Sequence, residues 1–154
     1  MSNSIKYSST RGGESSLSYE DVLLSGLARD GGLFMPEEWP QFSHSDLNEM
    51  KHLNYAELSA KIIRPFVEPC LSENELLNIS KDTYSAFNKD VAPLHQLNKN
   101  LHVLELFQGP TLAFKDYAMQ FLARAFNQAL NKRAQKGVIL GATSGDTGSA
   151  ALEA

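Results

Sequence analysis

The stretch "LHVLELFQGPTLAFKDYAMQFLARAFNQALNKRAQKGVILGATSGDTGSAA", residues 101–151, predicts the fold of the second half of this 154-residue chain. Its apolar start, residues 101–107, predicts a strand, and the amphipathic pattern over residues 114–134 predicts a helix. A second apolar segment, residues 137–143, predicts a buried strand, and a glycine-rich turn then leads into another helix near Thr147. The order strand–helix–strand is a βαβ unit, which predicts parallel strands joined by a right-handed crossover.

The residues before this stretch are expected to be mostly helical, with short strands such as residues 5–9. Four helix starts are predicted from capping residues followed by acidic ones, at Ser18, at Ser43 or Ser45, at Asn54 and at Ser72. Pro65 is expected to kink or end the third helix. We therefore predict an α/β chain with a mostly helical region over residues 1–90 and the start of a parallel sheet domain over residues 91–154.

Composition excludes several classes of protein. The net charge of −4 argues against a nucleic-acid partner, and no apolar run is long enough for a membrane helix. The first residues lack the apolar core of a secretory signal, and the single cysteine, Cys70, fits a reducing compartment. The four histidines have no metal-ligand spacing. A cytoplasmic protein without a metal is expected, and the chain is expected to be the front part of a longer one because it stops soon after its last helix begins.

Lys115 and Asp116 are adjacent at the start of the predicted helix. The residues three, four, seven and eleven positions after Lys115 are apolar, whereas those four, eight, eleven and fifteen after Asp116 are polar. Because positions three and four apart share a helix face, Lys115 is predicted to face the interior and Asp116 the solvent. Burial and the helix dipole would disfavour the ammonium form, leaving an amine that can add to an aldehyde or act as a base. The alternative is that the side chain extends past its apolar neighbours and reaches water.

The glycine-rich loop "GATSGDTGSAA", residues 141–151, fits neither the dinucleotide fingerprint nor the P-loop spacing. It nevertheless joins a strand end to a helix start and carries hydroxyl groups at Thr143, Ser144 and Thr147. This arrangement favours a carboxylate or phosphate site. A plain turn with Asp146 as the helix N-cap is the alternative. In a βαβ unit the loop and Lys115 would lie together at the carboxyl ends of the strands.

The segments "LFQGPTLAFKDYAMQF" and "LGATSGDTGSAA" together resemble threonine synthase, a pyridoxal-phosphate-dependent family with the fold type II, tryptophan-synthase-β-like architecture. "YSSTRG" and "DGGLFMPEEWP" resemble the opening segments of that family. The resemblance implies that Lys115 holds the cofactor covalently and moves protons at the substrate carbons. It also implies that Phe114 packs near the cofactor, that Asp116 is an orienting or surface residue, and that Asp146 lies near the cofactor's 3′ oxygen. A set of loop residues would bind the substrate carboxylate: Thr143, Ser144, Gly145, Asp146 and Thr147.

The reaction implied by the resemblance converts O-phospho-L-homoserine and water to L-threonine and phosphate, in a monomer or homodimer. The family's loop for the cofactor phosphate does not occur in these residues, so this chain alone is expected to bind the cofactor weakly and not to turn over. One alternative is a related phospho-lyase that yields 2-oxobutyrate, ammonia and phosphate. The other is a non-enzymatic helical interaction module formed by residues 1–90.

Overall fold

A computed structural model describes residues 4–88, 90–143 and 145–154 of the chain. The described part contains six helices and four short strands, which confirms the predicted α/β class. It divides into two compact units, one up to Asn78 and one from Ile79 onward. The predicted domain boundary after residue 90 stays a prediction, because a compact unit is not by itself an independently folding domain.

The first unit contains two strands, three helices and the beginning of a fourth helix. In chain order these are β1 (Tyr7–Ser9), α1 (Tyr19–Ser25), β2 (Phe34–Pro36), α2 (His44–Met50), α3 (Tyr55–Val67) and α4 (Glu73–Tyr84). β1 and β2 pair antiparallel, with Tyr7 opposite Pro36 and Ser9 opposite Phe34. The unit buries a small apolar core to which Met50, Val67, Leu71 and Leu76 contribute.

The predicted helix starts are confirmed by their capping bonds. The Ser18 hydroxyl accepts the N–H of Asp21 at α1, and Ser43 caps α2. At α3 the Asn54 side chain accepts the N–H of Glu57, while the Glu57 carboxylate accepts the N–H of Asn54. These bonds satisfy backbone donors that have no partner within the helix. Pro65 lies inside α3, two residues before the helix ends at Val67.

The second unit contains a hairpin and two helices. Strands β3 (Leu94–Asn98) and β4 (Leu101–Leu104) pair antiparallel across a tight turn. Helix α5 (Asp116–Lys132) packs against helix α6 (Asp146–Glu153). Small side chains are fully buried on both helices, Ala125 and Ala129 on α5 and Ala150 on α6.

The strands differ from the prediction in two respects. β4 forms where residues 101–107 predicted a strand, but it pairs with the preceding β3 and not in parallel with a later strand. Residues 137–143 form no strand, and Val138 and Leu140 are 95% and 97% exposed. A strand is stabilised by hydrogen bonds to a neighbouring strand, and no described residue supplies such a neighbour here. Within the described residues, no helix combines the length and apolar character needed to cross a membrane.

Candidate active site

Lys115 precedes α5 directly and has helical backbone angles, φ −65° and ψ −21°. Its carbonyl accepts the N–H of Met119 at 2.9 Å, so the residue belongs to the first helical turn, as predicted. The side chain is half-buried, and its Nζ lies 4.4 Å from the centre of the Phe114 ring. That ring is itself 58% exposed. The amine is therefore held over an open aromatic face, at a distance typical of a cation–π contact.

The prediction that Asp116 faces the solvent is wrong, and the prediction that Lys115 faces the interior is met only in part. Asp116 is fully buried, whereas Lys115 is only half-buried. Farther along the stripe that starts at Lys115, Ala118 is exposed and Leu122 is 42% exposed. The Asp116 carboxylate is buried because it accepts two hydrogen bonds from Thr111, one from the backbone N–H at 2.8 Å and one from the hydroxyl at 2.6 Å. Local hydrogen bonding thus outweighs the pattern of apolar residues along the helix.

The polar stripe that starts at Asp116 is only partly solvated. Gln120 is 2% exposed, and its side-chain oxygen and its backbone carbonyl both accept from Arg124, at 2.7 and 2.8 Å. Asn127 and Asn131, at the other end of the stripe, are exposed as predicted. The buried amide is tolerated because its oxygen is paired with a cation on the same helix face.

Tyr117 also holds the start of α5 in place. Its hydroxyl donates to the backbone carbonyl of Val91, and its ring packs against Phe87 with the ring centres 4.8 Å apart. Burial raises the pKa of the Tyr117 hydroxyl above its usual value, and the nearby Asp116 carboxylate raises it further. The phenol is therefore a neutral hydrogen-bond donor that anchors the helix.

The glycine-rich loop is organised by the Thr143 hydroxyl. Its Oγ1 accepts the N–H of Gly145 at 3.2 Å and the N–H of Gly148 at 2.9 Å. Gly145 has φ +143°, a backbone conformation that residues with a side chain rarely adopt. A Cβ built on Gly148 would lie 2.7 Å from Thr143 Oγ1, so a side chain there would crowd the capping hydroxyl. Thr143 therefore caps the start of α6, which explains the spacing of Thr143, Gly145 and Gly148. Sequence reasoning missed this cap because Thr143 lies two residues before Gly145, which occupies the usual capping position.

The alternative in which Asp146 caps the helix is wrong. Gly145 is the N-cap residue of α6 and Asp146 is the first helical residue, with no side-chain capping bond from the cap position. Asp146 is exposed and Thr147 is half-buried. Their N–H groups lie in the first turn, where a helix supplies no internal acceptor, so they are suited to an anion. Ser144, which the sequence places in the same site, lies outside the described residues.

The structure therefore brings the predicted site residues together in two groups within one unit. Phe114 and Lys115 form the first group, and the residues on either side of the start of α6 form the second. A half-buried primary amine beside an exposed aromatic face fits covalent attachment of an aromatic aldehyde such as pyridoxal phosphate. Among the described residues, no three His, Cys, Asp or Glu side chains are grouped as metal ligands.

Comparison with known proteins identifies the family. Residues 6–84 match the family model described as threonine synthase N terminus. A threonine synthase from Pseudomonas aeruginosa is 51% identical over 150 residues, which are 97% of this chain and 32% of that protein. The crystal structure of pyridoxal-phosphate-bound threonine synthase from Brucella melitensis superposes with a TM-score of 0.94 at 46% identity, covering 97% of this chain and 32% of that one.

The yeast threonine synthase crystal structure also matches, with a TM-score of 0.87 at 38% identity over 97% of this chain and 33% of the yeast chain. The chain thus spans about a third of the length of the relatives it matches. The family match covers just over half of the residues, from the first strand to the end of α4, and the chain belongs to the threonine synthase family.

Proposed function

We propose that this chain supplies the lysine-bearing part of a threonine synthase that converts O-phospho-L-homoserine and water to L-threonine and phosphate. The single observation that carries the proposal is the placement of the Lys115 amine at the start of α5, beside the exposed ring of Phe114. Similarity to threonine synthases over nearly the whole chain supports it further.

Lys115 is the residue proposed to hold pyridoxal phosphate and to move protons at the substrate carbons. The cofactor, when bound, supplies an electron sink for the charge that develops beside the substrate's amino group. Lys115 is suited to proton transfer because its half-buried side chain starts from a backbone held in the first helical turn, and a neutral primary amine is a base. Phe114 would pack against the cofactor ring and limit access of water to it.

The loop before α6 is proposed to bind the substrate's α-carboxylate. The residues involved are Thr143, Ser144, Gly145, Asp146 and Thr147. N–H groups of the first turn of α6 and the positive end of the helix dipole favour a carboxylate there. The Asp146 side chain is exposed and would lie near the cofactor's 3′ oxygen, leaving its backbone N–H for the substrate.

The same proposal covers the substrate class, the oligomeric state and the cellular compartment. The enzyme acts on a small phosphorylated amino acid as a monomer or homodimer, without nucleic-acid or membrane partners. A net charge of −4 and a single cysteine, Cys70, are in keeping with a cytoplasmic enzyme.

Product analysis tests the proposal on the full-length protein that carries these residues. With O-phospho-L-homoserine we expect threonine and phosphate in equal amounts, and Lys115→Ala should abolish turnover. Lys136→Ala, which removes an exposed lysine outside the site, should leave turnover unchanged. Formation of 2-oxobutyrate and ammonia would replace the synthase assignment with the phospho-lyase one, and the absence of any cofactor-dependent product would contradict both.

A further inference from the structure

We propose that Asp116 is a positioning residue for Lys115, acting through a clamp formed by Gly109, Thr111 and Asp116. This inference rests on the proposed function, because it explains how the segment that carries the cofactor-binding amine is held. Asp116 has no role in proton transfer in this proposal. It fixes the backbone on both sides of Lys115.

The first observation is the pair of hydrogen bonds that closes the clamp. Both oxygens of the fully buried Asp116 carboxylate accept from Thr111, one from the backbone N–H and one from the hydroxyl. A carboxylate held by two short bonds to one residue fixes both the distance and the orientation of the two chain positions. Phe114 and Lys115 lie between those two positions in the sequence.

The second observation is the close approach of Gly109. A Cβ built on Gly109 would lie 2.5 Å from both Cβ and Oδ2 of Asp116. No side chain fits at that distance, so the turn can wrap around the carboxylate only with glycine at this position. The requirement accounts for the glycine that opens the Gly109–Thr111 turn.

The third observation is strain inside the clamped segment. Leu112 has φ +62°, a left-handed conformation that is unfavourable for a residue with a Cβ. Such a conformation persists where the surroundings determine the backbone. Here the segment is fixed by bonds from the N–H of Leu112 to the Gly109 carbonyl at 3.1 Å and from the N–H of Asp116 to the Ala113 carbonyl at 3.0 Å. The clamp therefore holds a strained turn whose last residue before the helix is Lys115.

Asp116 also occupies a position at which helices favour acidic side chains. It is the first residue of a 17-residue helix, where the partial positive charge of free N–H groups stabilises a carboxylate. Removing the carboxylate would leave the N–H and hydroxyl of half-buried Thr111 without these acceptors. The strained segment would then be free to relax, and the backbone that carries the Lys115 amine would no longer be held in one position.

The test compares variants of the full-length protein that carries these residues, with pyridoxal phosphate as the probe. Asp116→Ala removes both bonds, and Thr111→Val removes only the hydroxyl bond. Asp116→Asn keeps an oxygen that can accept the Thr111 N–H, and its amide group can donate to the Thr111 hydroxyl. Asp82→Ala, which alters an exposed aspartate on α4, is the matched control. Three quantities are measured: amide hydrogen exchange over residues 111–117 without cofactor, cofactor affinity, and the fraction of Lys115 that borohydride links to the cofactor.

We expect Asp116→Ala to speed exchange over residues 111–117 and to weaken cofactor affinity by roughly tenfold or more. Thr111→Val should fall between Asp116→Ala and the wild type, while Asp116→Asn and Asp82→Ala should stay close to the wild type. If Asp116→Ala does not fold, the intermediate loss expected for Thr111→Val decides the question.

The proposal is overturned if exchange over residues 111–117 is unchanged in the folded clamp variants, or if their affinity and labelling match those of the wild type. A wild-type protein that holds no cofactor at Lys115 refutes the proposed function instead. The exchange measurement still reports on the clamp in that case, so the two failures are distinguishable.

Discussion

Ala134 adopts a conformation at the end of α5 that usually belongs to glycine. Its φ is +51°, and the bonds around it are those of a Schellman motif, in which the N–H of Gln135 donates to the Leu130 carbonyl at 3.0 Å and the N–H of Ala134 to the Asn131 carbonyl at 3.1 Å. The left-handed conformation is unfavourable for alanine by about 1 kcal/mol. Glycine would satisfy the same bonds without that strain.

Ala134→Gly should therefore raise the free energy of unfolding by about 0.5–1 kcal/mol, in spite of the greater freedom of glycine in the unfolded chain. Urea denaturation of the full-length protein that carries these residues measures the change. Ala123→Gly, the same substitution inside α5, should lower the free energy of unfolding by about 1 kcal/mol. Equal effects of the same sign at the two positions would show that the left-handed conformation does not govern the helix end.

Single residues were predicted well where a short-range rule applied and poorly where the rule was only a pattern of hydrophobicity. The start of the lysine-bearing helix was expected near Phe114 and lies at Asp116. The burial of Asp116 was not predicted, because its partner Thr111 lies five residues earlier, outside any common capping spacing. The role of Thr143 as a cap was missed for a similar reason, although its placement beside the helix start was expected.

At the scale of elements, the connection between β1 and β2 is held by one carboxylate. Asp30 accepts the Ser9 hydroxyl at 2.8 Å and the N–H groups of Gly13 and Gly32, each at 2.8 Å. The Arg11 guanidinium adds a bond of 3.0 Å to the Asp30 backbone carbonyl. The N–H of Gly32, followed by the Ser9 hydroxyl, holds the pKa of Asp30 below its usual value.

This lowered pKa predicts acid sensitivity of the β1–β2 element. A carboxyl group whose pKa is lower in the folded state contributes stability above its unfolded pKa, about 4, and the contribution is lost as the pH falls toward the folded value. Glu37 and Asp46, whose pKa values are lowered mainly by serine hydroxyls, contribute in the same direction. Unfolding free energy should therefore decrease below about pH 4.

Asp30→Asn should lower stability at neutral pH and make the decrease below about pH 4 shallower, as followed by urea denaturation across a pH series. Glu38→Gln, on an exposed residue beside Glu37, is the control that should leave the profile unchanged. A profile for Asp30→Asn parallel to that of the wild type would exclude Asp30 as a source of the acid dependence.

The predicted helices and strands were confirmed where signals from neighbouring residues define them. The capping residues gave the helix starts of the first unit because each cap depends on a few neighbouring residues. Strand pairing depends on residues far apart, and β3 was not predicted because its weak alternation resembles a loop. Residues 137–143 had a strong strand pattern, but a pattern alone supplies no partner.

On the scale of the whole molecule, the fold class and the family follow from motifs that lie in both units. The family model matches residues 6–84, whereas the lysine and the glycine-rich loop lie beyond that range. The structural similarity to threonine synthases covers 97% of the chain and so includes both site groups. The predicted identity of the site residues depended on the two motifs together, because neither the charge pattern nor the glycine spacing specifies a cofactor.

The central claim is that Lys115 is the residue that holds pyridoxal phosphate. The most direct test is to saturate the full-length protein that carries these residues with the cofactor, reduce it with borohydride, digest it and locate the modified lysine by mass spectrometry. We predict that the label is on Lys115 and disappears in Lys115→Ala, with the remaining lysines unmodified. A label on another lysine, or a Lys115→Ala variant that still carries it, would contradict the account.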